Sequence, residues 1–137
     1  MLRLFALSAL ALAACNAAQA TPAATSSPAD HDLCVAVMTH ARACTDVYIP
    51  ALVDARAAAD IPRGIRAEVA KDRKGVIAQA LREWATDSTD ASIEALCRHP
   101  MPDSEADRAT GRACQAKTDC AAFSQCVLPL QQKYWRP

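Results

Sequence analysis

The sequence has few of the residues that usually build sheets and tight turns. Its 137 residues include three glycines and two each of Trp, Tyr and Phe. Valine and isoleucine are also scarce, alanine is abundant, and no stretch alternates apolar and polar residues over the length of a strand. Because this composition favours helix over sheet, we predict an all-α domain.

An excess of one charge is also missing. The chain carries 15 Lys and Arg residues against 15 Asp and Glu residues. Removal of Arg3 with a signal peptide would leave 14 basic against 15 acidic residues, a formal charge of −1. Binding to a phosphate backbone needs a basic face, so this balance argues against nucleic acid as a partner.

Several motifs that mark common chemistries are absent. The sequence has no Cys-x-x-Cys pair, no Cys-x-x-Cys-His haem motif, no Gly-x-Ser-x-Gly and no His-Glu-x-x-His. We therefore expect neither an enzyme nor a cofactor. His40 lies four residues before Cys44 and His99 lies near Cys97, but a cysteine in a disulfide cannot ligate a metal. No metal site is predicted on these grounds, and His31 is expected to be solvated.

The N-terminus has the layout of a secretory signal. Arg3 precedes an apolar run from Leu4 to Ala14, which is shorter than the roughly 20 residues that span a bilayer. Leu12-Ala13-Ala14-Cys15 resembles the lipobox of bacterial lipoprotein precursors. The resemblance implies that residues 1–14 are removed and that Cys15 is acylated with two or three chains, which would anchor the protein to a membrane.

Two locations follow from two ways of processing this signal. In the enteric sorting rule an aspartate after the lipidated cysteine retains a lipoprotein in the inner membrane. Asn16 therefore favours the periplasmic face of the outer membrane. Ala18-Gln19-Ala20 is a competing A-x-A site, and cleavage after Ala20 would release a soluble periplasmic or secreted protein.

Beyond the signal we expect a tether and one domain. Residues 15–30 form a lipidated cysteine and a linker without large apolar side chains, a composition typical of a flexible segment. A flexible coil of this length spans about 20 Å. Residues 31–137 are long enough for a single domain, which we predict to be helical and rich in disulfides.

Apolar spacing and capping residues predict a bundle of four to five helices. The first should cover residues 31–44 after an Asp30 cap, and a short one should run from Pro50 to Asp60. The longest should run from Pro62 to about Ala85, on an apolar stripe formed by Ile61, Ile65, Val69, Val76, Ile77, Ala80, Leu81 and Trp84. Later helices should follow caps at Asp87 or Ser88, at Ser104, and at Thr118 or Asp119, the last ending near Pro129.

Six cysteines follow Cys15, and an even set in an exported domain predicts three disulfides. They are Cys34, Cys44, Cys97, Cys114, Cys120 and Cys126. Each bridge typically contributes about 2–4 kcal/mol to stability. Cys34 and Cys44 would be about 15 Å apart along one helix and so cannot bond each other. The remaining pairings stay open.

Two segments are candidate interaction surfaces. The basic stretch that contains Arg63, Arg66 and Arg73 could contact lipid headgroups or peptidoglycan, or it could be a solvated helix face. The C-terminal Tyr134-Trp135 could dock a partner or pack onto the bundle. We therefore predict a membrane-tethered, non-enzymatic binding or structural module whose partner is another envelope protein or peptidoglycan. A periplasmic carrier of a small ligand or metal is the alternative.

Overall fold

The computed structural model describes residues 26–99 and 104–135. The predicted signal peptide, Cys15 and most of the predicted linker lie outside these residues. The described part confirms a disulfide-bonded bundle whose elements are all helices, although it has six of them rather than four or five. They are α1 (Pro28–Ala43), α2 (Thr45–Ala59), α3 (Ile65–Asp87), α4 (Asp90–Cys97), α5 (Glu105–Gln115) and α6 (Cys120–Gln132).

Helices α2 and α3 form an antiparallel hairpin on one side of the molecule. Helix α1 packs on α4 and α5, α5 packs on α6, and α2 contacts α6. The hydrophobic core lies where α1, α2, α5 and α6 meet, and its largest fully buried side chains are Phe123, Ile49 and Val127. Helix α3 has no fully buried residue. It covers α2 and leaves much of its apolar stripe only half-buried.

Side-chain caps explain where four helices begin. Ser27, Thr89, Ser104 and Asp119 each accept a hydrogen bond from a backbone N–H three residues later, which satisfies one of the free donors of a first helical turn. The caps at Ser104 and Asp119 are those predicted. Ser27 replaces the predicted Asp30, so α1 begins at Pro28 and includes the last three residues of the predicted linker. Thr89 caps α4 in place of the predicted Asp87 or Ser88.

Two prolines lie inside helices, where the sequence predicted a start and an end. Helix α2 begins at Thr45 and contains Pro50, whereas α6 continues past Pro129 to Gln132. A proline inside a helix removes one hydrogen bond to the carbonyl four residues earlier. Pro129 and the residue whose carbonyl it leaves unbonded, Gln125, are both exposed. Water can therefore solvate that carbonyl.

The turn between α2 and α3 depends on Asp60. This residue has a left-handed conformation, with φ of 55°, and is followed by Gly64 with φ of 97°. The Oδ1 atom of Asp60 accepts hydrogen bonds from the backbone N–H groups of Gly64, at 3.0 Å, and Arg66, at 3.2 Å. Helix α3 therefore begins at Ile65, three residues after the predicted start at Pro62.

Three disulfides connect the helices. Cys34 of α1 bonds Cys97 at the end of α4, and Cys44 between α1 and α2 bonds Cys120 at the start of α6. The third bridge joins Cys114 of α5 to Cys126 of α6. Cys34 and Cys44 thus bond different partners, as their separation along the helix requires.

Candidate functional site

A cleft of about 760 Å³ opens between the α2–α3 hairpin and the opposite side of the molecule. The opposite side is formed by α1, α4 and the C-terminal residues 131–135. On α3 the lining runs from Ile65 to Asp87, a distance of at most about 30 Å at the rise of an α-helix, because the helix is interrupted at Asp72. The concave surface is therefore long and follows one helix.

Apolar side chains supply most of the cleft surface. They come from four helices, and Leu96 of α4 is 49 % exposed at the edge. Single exposed leucines are common on protein surfaces, but Leu96 is continuous with the larger apolar surface of the cleft. The apolar lining comprises Met38, Ile49, Leu52, Val53, Ile65, Val76, Ala80, Trp84 and Leu96.

Three carboxylates and one guanidinium carry the charge of the cleft. Glu68, Glu83 and Asp87 belong to α3, and Arg56 belongs to α2, so the lining residues that the structure describes have a formal charge of −2. The Glu83 carboxylate accepts a hydrogen bond from the neutral amide of Gln79 at 2.8 Å. The three acidic residues are exposed. We call them the acidic rim.

The C-terminal aromatic residues line the cleft and pack against the bundle. The guanidinium carbon of Arg56 lies over the Trp135 ring, 5.5 Å from its centroid, which is within the range of a cation–π interaction. The Tyr134 hydroxyl donates to Asp107 Oδ2 at 3.2 Å. Both residues are therefore held in place by the bundle, and each still presents part of its surface to the cleft.

Tyr48 belongs to the floor of the cleft. Its hydroxyl donates to Gln131 Oε1 at 2.8 Å, and its ring lies 5.6 Å from that of Trp84. Burial raises the pKa of the Tyr48 phenol above its ordinary value, although the hydrogen bond to Gln131 and the charge of Arg56 oppose this shift. The phenol therefore remains a protonated donor that joins α2 to the end of α6.

The predicted basic face is used largely inside the molecule. Arg66 donates to the carbonyls of Ala57 at 3.1 Å and Ala58 at 2.8 Å, at the C-terminal end of α2. Arg73 donates two hydrogen bonds to the carboxylate of Asp54, at 2.8 and 2.7 Å. Arg63 is exposed. The structure therefore does not bring these three arginines to the cleft, and two of them hold α3 to α2.

A second, smaller cavity of about 90 Å³ lies between α1, α5 and α6. Its walls include Leu33, Val37, Val127 and Leu130, and the backbone of Gly111 approaches Leu33 closely: a Cβ at position 111 would lie 3.5 Å from its Cδ2. This volume is too small for most organic ligands. We treat it as a packing defect beside the cleft, with which it shares Tyr134.

The three histidines have different environments. His40 stacks on Phe123, with the ring centroids 4.1 Å apart, and its Nδ1 lies 3.2 Å from the Gln115 carbonyl oxygen. His31, which we expected to be solvated, is half-buried, and its Nε2 lies 3.1 Å from Glu94 Oε1. His99 is exposed. Over residues 26–99 and 104–135, no cluster of three or more His, Cys, Asp or Glu side chains is arranged to hold a metal ion.

Carboxylates with clearly lowered pKa values lie in surface ion pairs. The guanidinium of Arg73 lowers the pKa of Asp54, and hydrogen bonds from Arg112 and Arg108 lower that of Glu105. The ammonium of Lys133 lowers the pKa of Asp107, with a further contribution from the hydroxyl of Tyr134. Each shift has a partner that stabilises the charged form. The shifts of Asp54 and Asp107 therefore reflect contacts between different helices, whereas that of Glu105 reflects ion pairs within α5.

The comparisons do not assign the chain to a known group. No match was found to any protein family, to any curated protein or to any solved structure. Among the helices that the structure describes, none combines the length and the apolar character needed to cross a bilayer.

The acidic rim was not predicted from the sequence. Asp87 lies four positions after Glu83, so both lie on one face of α3, and Glu68 lies between Ile65 and Val69 of the apolar stripe of the same helix. This spacing was a usable signal. The spacing could not indicate that the apolar stripe of α3 stays partly uncovered, because its exposure depends on how far α1 and α4 lie from α3.

Proposed function

We propose that this protein is a lipid-anchored, non-enzymatic binding module of the bacterial cell envelope, and that the cleft is its binding surface. The observation that carries the proposal is the cleft itself, a mainly apolar surface at most about 30 Å long beside Trp135 and Tyr134. Aromatic side chains in a concave apolar site often contribute most of the binding energy.

The composition of the cleft supports binding more than catalysis. Its charged groups lie at the rim rather than converging on one point, and its deeper residues are apolar. The cysteine that lines it, Cys34, is bonded to Cys97 and has no free thiol. A reaction would need a nucleophile or base held close to a second polar group, whereas recognition of an apolar partner needs the surface that is present.

The start of the described chain supports a tether beside the cleft. The backbone N–H of Ser26 donates to the Arg98 carbonyl at 3.1 Å, and its hydroxyl donates to the Cys97 carbonyl at 2.8 Å. Ser26 is therefore held at the C-terminal end of α4, the helix whose Leu96 lines the edge of the cleft. Extended at roughly 3.6 Å per residue, the segment from Cys15 to Ser26 would span at most about 40 Å. An acylated Cys15 would keep the cleft within that distance of a membrane.

The anchor is tested by the intact mass of the protein purified from the membrane fraction. We expect a chain that begins at Cys15, carries two or three acyl chains and exposes six thiols only after reduction. Cys15→Ser should abolish both the added mass and the membrane association. A chain that begins at Thr21 would contradict the anchor and support a soluble exported protein.

The volume of the cleft favours one alternative, a carrier of a small ligand. Pockets for small molecules usually measure about 300–1,000 Å³, and 760 Å³ falls in this range. Native mass spectrometry of the protein purified from its host distinguishes the two. A stoichiometric organic adduct that is lost on unfolding would support the carrier, whereas an adduct-free chain would support binding to a protein. Elemental analysis of the same sample tests the metal carrier.

A further inference from the structure

We infer that the cleft binds an amphipathic helix with Lys or Arg beside its apolar face, presented by another protein of the envelope. This inference rests on the proposed function, because it takes the cleft as the binding surface and names its partner. It depends on three properties of the cleft: its length, the sign of its charge and the spacing of its carboxylates.

The shape of the cleft fits a helix. Its lining extends along α3 from Ile65 to Asp87, at most about 30 Å or about five turns of a partner helix, and the apolar residues of α3 in it lie mainly between Val76 and Trp84. A partner helix with apolar residues at positions i, i+3, i+4 and i+7 would place one continuous stripe on this surface. Leu96, 49 % exposed on one edge, and Trp84 on the opposite wall could both contact that stripe.

The acidic rim selects the charge of the partner. Glu68 and Asp87 are separated by 19 positions on α3, at most about 28 Å because Asp72 interrupts the helix between them, and Glu83 lies between them in the sequence. Among the lining residues that the structure describes, the only cation is Arg56, which is already placed over Trp135. Three carboxylates along one wall therefore favour a partner with several cations along its length, and they oppose anionic amphiphiles such as fatty acids.

Other occupants fit these observations less well. A single cationic headgroup could approach only one end of a row of carboxylates that extends up to about 28 Å. A second copy paired through the same face by a twofold axis would place acidic rim against acidic rim. A basic helix satisfies the apolar surface and the carboxylates together.

The test measures binding of designed helical peptides to the full chain, reconstituted in phosphatidylcholine nanodiscs if it is acylated. Three immobilised peptides of about 18 residues, or about 27 Å as helices, share one leucine stripe and carry Lys, Gln or Glu at the flanking positions. Empty nanodiscs give the background for each peptide. We expect the Lys peptide to bind at least tenfold more tightly than the Glu peptide at about 0.02 M salt, and less so at about 0.15 M because of screening.

Two matched variants locate the charge effect. Glu68→Gln/Asp87→Asn removes two carboxylates of the acidic rim, whereas Asp32→Asn/Asp46→Asn removes two exposed carboxylates elsewhere. The first should weaken binding of the Lys peptide about fivefold to tenfold and narrow its advantage over the Glu peptide. The second should change binding less than twofold. Leu96→Gln should weaken binding of all three peptides.

The outcomes separate the inference from the function on which it rests. Equal binding of the Lys, Gln and Glu peptides, with sensitivity to Leu96→Gln, would overturn the basic partner and leave the cleft as a binding surface. If neither Glu68→Gln/Asp87→Asn nor Leu96→Gln changes peptide binding, the peptides do not bind in the cleft, and the cleft is overturned as their binding site as well. If no peptide binds, the helical partner is wrong, and a native-mass adduct would then support the small-ligand carrier. If no peptide binds and no adduct is found, the cleft is overturned as a binding site.

Discussion

Asp72 interrupts helix α3 and caps its second half through Gly75. The backbone of Asp72 leaves the helical conformation, with φ of −150° and ψ of 73°, and its Oδ1 accepts a hydrogen bond from the Gly75 N–H at 2.9 Å. A Cβ added at position 75 would lie 2.1 Å from Asp72 Oδ2. The glycine therefore makes room for the carboxylate that caps the helix.

We predict that Gly75→Ala destabilises the protein, although alanine is the better helix former. Helix propensity alone would give a gain of about 1 kcal/mol. The added Cβ must displace the Asp72 carboxylate and remove its cap, which should cost up to about 2 kcal/mol and so outweigh this gain. Urea denaturation measures the difference. In an Asp72→Ala background the conflict is gone, so the same glycine substitution should become stabilising, and a loss of stability there would contradict this account.

The Asp54–Arg73 pair should make the attachment of α3 to α2 sensitive to acid. Arg73 lowers the pKa of Asp54, so the pair stabilises the folded state above the unfolded pKa of about 3.9 and is lost as the pH falls through the lower folded value. Both side chains are about half exposed, so we expect at most about 1 kcal/mol. Denaturation midpoints of wild type and Asp54→Asn should differ above pH 4 and converge as the pH falls below it through the folded pKa of Asp54, and a difference that does not shrink over this fall would contradict the pairing.

The same ion pair predicts a charge-swap result. Arg73→Glu should lower the thermal midpoint because it places two carboxylates together, and Asp54→Arg/Arg73→Glu should recover part of the loss. Arg63→Glu is the matched control on an exposed arginine near the start of α3 and should have little effect. A reduction by Arg63→Glu as large as that by Arg73→Glu would indicate a general charge effect instead.

We expect Thr45 to contribute to stability through its hydrogen bonds rather than through its shape. Its Oγ1 accepts from the indole N–H of Trp84 at 3.0 Å and donates to the Arg42 carbonyl at 2.6 Å. Thr45→Val keeps the shape but leaves the indole without this acceptor, and we expect a loss of about 1–2 kcal/mol. Thr45→Ser keeps both bonds and should lose less. Equal losses in chemical denaturation would show that the methyl group matters as much as the hydroxyl.

The disulfides should differ in their contribution to stability. Cys44–Cys120 closes a loop with a sequence separation of 76, whereas Cys114–Cys126 closes one of 12. Loop-closure entropy predicts about 4.5 kcal/mol for the first and about 3 kcal/mol for the second. Paired Cys→Ala substitutions compared in urea should follow this order. The reverse order would mean that packing around the buried Cys114 outweighs the entropy of the unfolded chain.

Local features of the bundle were predictable because they depend on neighbouring residues. Ser104 and Asp119 cap helices as predicted, since a short polar side chain can reach the N–H three residues later without help from the rest of the fold. Pro50 and Pro129 were placed wrongly at helix ends. Their helices tolerate the lost hydrogen bond because packing on other helices supplies stability that a local rule does not include.

Short-range rules were enough to predict the helical class, the break between α5 and α6, and the fact that Cys34 could not reach Cys44. Each follows from propensity or from the rise of a helix, which act over a few residues. The packing of the helices, in contrast, sets which cysteines pair, places Arg66 and Arg73 in contacts within the molecule, and brings Trp135 to Arg56 at the acidic-rimmed cleft. These relationships join residues far apart in the chain, and their distances depend on how whole helices pack.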